Sequence, residues 1–161
     1  MTRTAATTDT LWYFDSLAQV RVSREEGAGR LSVIELTAPR GSMPPLHVHS
    51  EDETYYVLEG ALTIFAGDRV ERLKPGDSML APRDVPHTYV AESEGTRMLL
   101  VTEGEHEGFV RAVARPAEQE TLPPAADAPR SPEELAAIGQ VADEYGIRLL
   151  GAPGMLPSDL G

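Results

Sequence analysis

The chain has 161 residues, 41% hydrophobic and 25% charged, which is room for one domain with a sizeable core. It contains no cysteine, so thiolate catalysis, disulfides and cysteine-ligated zinc are excluded. Acidic residues outnumber basic ones 26 to 14, a formal charge of −12; that balance repels phosphate backbones and anionic bilayers and argues against nucleic acid and membrane as partners.

Residues 1–10, MTRTAATTDT, read as a flexible N-terminal tail. They lack the apolar run of a secretory signal, and no later stretch approaches the length of a membrane span, so a cytoplasmic location is expected. From Leu11 onward short apolar runs are broken by glycine, proline and aspartate: LSVIELTA, TYYVLEG, ALTIFAG, SMLAP, HTYVAE and RMLLVTE. Their spacing of roughly ten residues predicts a sandwich or barrel of β-strands. The aromatic run LWYFD at 11–15 suits either closure of this barrel or a contact between two copies. AGD at 66–68 and KPGD at 74–77 are predicted turns.

The pattern changes after the last of these runs. EHEGFVRAVARP at 105–116 places Phe109, Val110 and Val113 near helical spacing, with Pro116 as a stop. TLPPAADAPR at 121–130 is a proline-rich connector. SPEELAAIGQVADEYG at 131–146 predicts a helix capped by Ser131, opened by Pro132 and ended by Gly146. Leu135, Ile138, Val141 and Ala142 form its expected apolar stripe. The expected organisation is a tail at 1–10, a β-barrel domain with a short closing helix at 11–116, and a connector and helix at 117–161 packed on the barrel.

The chemistry concentrates in HVHSEDETYYVLEG, residues 47–60. The whole chain has four histidines, and two of them stand here one residue apart. Side chains alternate faces along a strand, so His47 and His49 point the same way. Glu53 shares their parity and can add an oxygen if the strand bends. PGDSMLAPRDVPHTYV supplies a third imidazole, His87. Three imidazoles and a carboxylate suit a divalent first-row ion such as Ni, Fe, Mn, Co or Zn, with positions left open for chemistry. Tyr55 and Val57 share the inward parity, and Tyr55, Phe65, Tyr89 and Phe109 are the aromatic candidates for a substrate pocket. Met79 and Met98 are expected in the core. His106 is expected either as a solvated histidine at a helix start or as a catalytic group at the barrel mouth. Arg83 and Asp84, beside His87, are expected to form a local pair or else a contact to a metal ligand from behind.

These residues resemble the cupin superfamily. Gly41, His47, His49, Glu53 and Gly60 fit its first motif, and Gly76, Pro82 and His87 fit the second. Asp84 stands where that second motif has another glycine, and Ala91 where it has asparagine. The resemblance implies an all-β double-stranded β-helix, the jelly-roll barrel, with a short C-terminal helical appendage. It also implies metal ligation by His47, His49, Glu53 and His87. Downstream, EGFVRAVARPAEQETLPP and ADEYGIRLLGAPGMLP are similar to single-domain bacterial cupins grouped with quercetin 2,3-dioxygenase, with His106 where an aromatic is usual. That narrower likeness implies a dioxygenase taking a flavonol or related enolisable aromatic together with dioxygen, Glu53 acting as the base, in a protein expected to form a homodimer. A metal-dependent isomerase or cyclase of a polyketide-like compound, and a non-enzymatic binder of a small ligand, are the rival expectations.

Overall fold

The computed structural model describes residues 9–126 and 128–161. Most of the expected tail lies outside that range, while Thr10 already belongs to a strand. The strands are β1 (Thr10–Tyr13), β2 (Ser16–Val22), β3 (Ser32–Ala38), β4 (Leu46–His49), β5 (Glu53–Glu59), β6 (Leu62–Ala66), β7 (Arg69–Leu73), β8 (Ser78–Ala81), β9 (His87–Ala91) and β10 (Thr96–Thr102). Helix α1 (Gly104–Val113), the two-residue strand β11 (Arg115–Pro116), helix α2 (Pro132–Glu144) and strand β12 (Ile147–Gly151) follow, and a 3-10 turn closes the chain at Pro157–Leu160.

The strands make two antiparallel sheets. One runs β11-β1-β2-β3-β10-β5-β8 and the other β12-β4-β9-β6-β7. The spacing of the apolar runs predicts a sandwich or barrel of strands, and the jelly-roll form of it is the one the cupin resemblance implies. Alternation sets the core: in β5, Tyr55 and Val57 are buried while Tyr56 is 40% exposed. Ile34, Leu36, Val57, Leu62, Ile64 and Met98 are fully buried between the sheets, and Met79 packs with them. Each such aliphatic side chain contributes about 1.5–3 kcal/mol by leaving water.

The aromatic run at 11–15 serves its own barrel. β1 and β2 pair as a hairpin with Tyr13 opposite Ser16, and the buried Trp12 donates its Nε1 proton to the Thr121 carbonyl at 2.8 Å. The turn places Phe14 at φ 54, a left-handed conformation that is rare for a bulky side chain. At the turn after β8, Asp84 adopts φ 61, a conformation the glycine of the cupin motif takes without strain. Arg83 pairs with Asp52 and Glu103 rather than with Asp84, because the β8–β9 turn lies against the β4–β5 connection.

The C-terminal segment departs most from expectation. β12 joins the smaller sheet beside β4, with Ile147 opposite His49 and Leu149 opposite His47, so the segment extends a sheet as well as packing a helix on the barrel. In α2 the capping box of Ser131 and Glu134 is present. The apolar stripe is narrower than four residues: Leu135 is 55% exposed, and only Ile138, Val141 and Ala142 pack against Phe109 and Ile147. Gly108 in α1 makes close packing with the chain end of α2 possible; a Cβ there would lie 2.5 Å from the Tyr145 ring.

Candidate metal centre

The four ligand candidates meet, although they do not share a strand. The chain leaves β4 at His49, turns through Ser50–Asp52 and enters β5 in the opposite sheet. Glu53, the first residue of β5, therefore reaches the same point from across the barrel. A continuous strand at 47–57, the simplest reading of the parity, is thus replaced by two strands and a crossing. His87 comes from β9, where it sits directly opposite His47. All four side chains are buried, and one ligand atom from each lies within 4.8 Å of the others.

The tautomers are set by the backbone. A carbonyl oxygen only accepts, so each Nδ1 that meets one carries the proton. His47 Nδ1 donates to the Pro45 carbonyl at 2.8 Å, His49 Nδ1 to Glu51 at 2.9 Å and His87 Nδ1 to Val85 at 2.8 Å. The Nε2 atoms are left for the shared centre, and those of His49 and His87 both stand 3.1 Å from Glu53 Oε2. Carbonyl partners of this kind orient metal-ligating imidazoles. Three oriented Nε2 atoms and one carboxylate oxygen, buried and convergent, fit a first-row divalent ion.

The electrostatics match this arrangement. Burial pushes the Glu53 carboxyl up, but His106 and the hydrogen bonds with His49 and His87 outweigh it and hold that carboxyl well below the usual carboxylate range. Burial also opposes charge on His49, but its hydrogen bond to Glu53 and the charges of Glu53 and Glu51 raise its pKa overall. His47 is pushed down to about 3, first by burial and then by His87. Burial likewise lowers His106, and it raises the phenols of Tyr13, Tyr55 and Tyr89, so those hydroxyls stay protonated and can donate.

A cavity of about 50 Å³ adjoins the cluster, with His47, Glu53 and His106 on its wall. Its apolar wall includes Tyr55, Tyr89 and Phe109, three of the four aromatics singled out from the sequence. Phe65 is not among them. It alternates with the inward Ile64 and lines a groove with Val70 and Leu156 instead. Sequence reasoning missed Tyr13 and Phe14 at the hairpin turn, Pro44 and Pro45 before the ligand strand, and Ile138, Ile147 and Leu149 from the C-terminal segment. The proline pair next to the HxH stretch was the one local signal available. The rest requires knowing that both chain ends fold over the same barrel mouth.

His106 is not solvated. It is 6% exposed in the first turn of α1, with its ring 5.7 Å from that of His49. Among the described residues, its Nδ1 is the one buried side-chain nitrogen or oxygen without a hydrogen-bond partner.

Residues 33–103, which hold three histidines and a glutamate in a jelly-roll barrel, match the family model described as the cupin domain, and that segment is a cupin domain. The chain is similar to quercetin 2,3-dioxygenase of Bacillus subtilis (strain 168), with 29% identity over 117 residues, 71% of this chain and 35% of that protein. The chain thus spans about a third of the length of that curated relative. Among solved structures, an RmlC-like cupin from Shewanella frigidimarina superposes with a TM-score of 0.55 at 20% identity, covering 65% of this chain and 90% of that one. The polyketide cyclase RemF from Streptomyces resistomycificus superposes with a TM-score of 0.52 at 24% identity, covering 64% and 79%. These two likenesses concern the fold.

Proposed function

We propose that the chain is a metal-dependent dioxygenase of the quercetinase type, acting on a flavonol or a related enolisable aromatic with dioxygen as co-substrate. The observation that carries this reading is Glu53: a buried carboxylate, held ionised beside three oriented imidazoles, on the wall of an apolar cavity. The 29% identity to a quercetin 2,3-dioxygenase supports it.

His47, His49, Glu53 and His87 would hold the ion. When bound, the ion supplies Lewis acidity that acidifies a hydroxyl placed beside it. Glu53 Oε2 then accepts the hydroxyl proton, leaving an electron-rich enolate ring. Tyr55, Tyr89 and Phe109 pack against that ring and exclude water. His106 lies beside the cluster and offers Nδ1 to a second polar group of the substrate.

The cavity is far smaller than the roughly 300–1,000 Å³ of a typical pocket for a drug-sized ligand. Entry of a flavonol therefore requires Ile138 of α2 to move outward, since Ile147 and Leu149 are held in the β12–β4 ladder. α2 is suited to this, since Ala142 is its one fully buried residue.

The same base would serve a redox-neutral isomerisation or cyclisation of a polyketide-like substrate, and a small, largely apolar pocket favours that chemistry equally. Oxygen uptake separates the two. Protein loaded in turn with Ni²⁺, Fe²⁺, Mn²⁺, Co²⁺ or Zn²⁺ is presented with flavonols and polyketide phenols at an oxygen electrode. Stoichiometric oxygen consumption, abolished in Glu53→Gln, is expected. Substrate conversion without oxygen uptake would replace the dioxygenase by the cyclase reading. Tight binding with no conversion would leave a ligand-binding cupin.

A further inference from the structure

We infer that Glu51 is a positioning residue that ties the ligand strand to helix α1 and so holds His106 against the cavity. The inference rests on reading the four-residue cluster as a metal centre.

Glu51 is an acidic residue only 7% exposed, and it makes three hydrogen bonds in two directions. Its backbone carbonyl accepts the Nδ1 proton of His49 at 2.9 Å. Its carboxylate turns the other way: Oε1 accepts the backbone N–H of Glu105 at 2.8 Å, and Oε2 accepts that of His106 at 3.0 Å.

The first backbone N–H groups of a helix have no partner within the helix. In α1 the residue at the N-cap position, Glu103, makes no side-chain capping bond. Glu51 supplies the cap from the far side of the cluster. Its negative charge also sits at the positive end of the helix dipole. The side chain therefore does the work of a local cap, but from the ligand loop.

One of the two clamped amides belongs to His106 itself. That residue also carries the buried Nδ1 without a partner and lines the cavity. Backbone and side chain of one residue thus face the two things Glu51 connects. Any ordering of His49 by an ion is passed through the Glu51 carbonyl to its carboxylate, and from there to the first turn of α1. No other described residue bonds to both the His49 ring and α1. Arg24 reaches α1, through its backbone N–H to Glu107 and its side chain to Glu105, but makes no bond to His49.

The test uses Zn²⁺ alone as the probe, with amide hydrogen exchange and ring ¹⁵N NMR. All four histidines of the chain lie at this site, so each ring signal reports on it. In the wild type, Zn²⁺ is expected to slow exchange of the Glu105 and His106 amides about tenfold or more. Glu51→Ala keeps the backbone carbonyl that His49 uses, so it should still take up Zn²⁺. Its two amides should exchange about tenfold faster and stop responding to the ion, and the His106 ring signals should broaden while those of His47 and His87 stay sharp. Glu51→Gln has one carbonyl oxygen and should protect one amide of the two.

Wild-type exchange and an unchanged His106 ring spectrum in Glu51→Ala would overturn the inference. If that variant fails to fold, protection of both amides in Glu51→Gln would overturn it. A wild-type protein that takes up no Zn²⁺ would remove the metal reading instead; the same amide comparison on ion-free variants would then decide the positioning role separately.

Discussion

His87→Ala is expected to strip the ion and abolish turnover together. His87 is fully buried, faces His47 across the β4–β9 ladder and meets the same Glu53 oxygen as His49. Among the described residues, no fifth side chain joins the four-residue ligand cluster to take over its Nε2. Loss of an outer partner of a metal ligand costs about 10–100-fold in affinity, and loss of the ligand itself should exceed that. Ion binding by the wild type should also weaken as pH falls, for a reason visible at Glu53. Without an ion, a proton on His49 Nε2 satisfies its carboxylate, and the raised pKa of His49 means that proton is held more tightly than in a free histidine. Ion binding must expel it. Above the raised pKa the competition vanishes. Below it, each expelled proton weakens binding about tenfold per pH unit. Isothermal titration with Ni²⁺ or Zn²⁺ between about pH 5 and 8 checks both parts. Wild-type affinity in His87→Ala would show that the ion is held elsewhere.

His106→Leu should separate stability from activity. A buried polar atom without a partner costs about 1–3 kcal/mol. Leucine fills similar space without that cost, so the thermal midpoint should stay level or rise, and the ion content should match wild type. Turnover should drop about 10–100-fold, the size of one lost hydrogen bond to substrate in a buried site. A stability gain at the expense of activity is what a residue retained for function shows. Unchanged turnover in the purified variant would remove His106 from the reaction and leave its orphaned nitrogen without a role.

The ligands were legible in the sequence because strand alternation has a period of two, and HxH places both imidazoles on one face before any fold is known. His87 was legible through the glycine turn ahead of it and the cupin resemblance. The path of Glu53 was not. Parity put it on the right side, but only the crossing between sheets at Ser50–Asp52 explains how it arrives. Phe65 was misplaced because an aromatic in a barrel strand carries no mark of its face, whereas its neighbour Ile64 takes the core position. Strand β12 was hidden because IRLLG directly follows a well-capped helix, and its pairing with β4 depends on residues a hundred positions away. The same long separation concealed Glu51. Its role comes from two amides on a helix that the chain reaches only after six further strands.

The central claim is that His47, His49, Glu53 and His87 hold one transition-metal ion in a site that leaves it open to substrate. The most direct measurement is X-ray absorption at the edge of the metal found by elemental analysis of the purified wild-type protein. One ion per chain, with a first shell of nitrogen and oxygen and the scattering pattern of three imidazoles, supports the claim. Protein that holds no ion after loading with each first-row divalent metal, or a shell with fewer than two imidazoles, contradicts it.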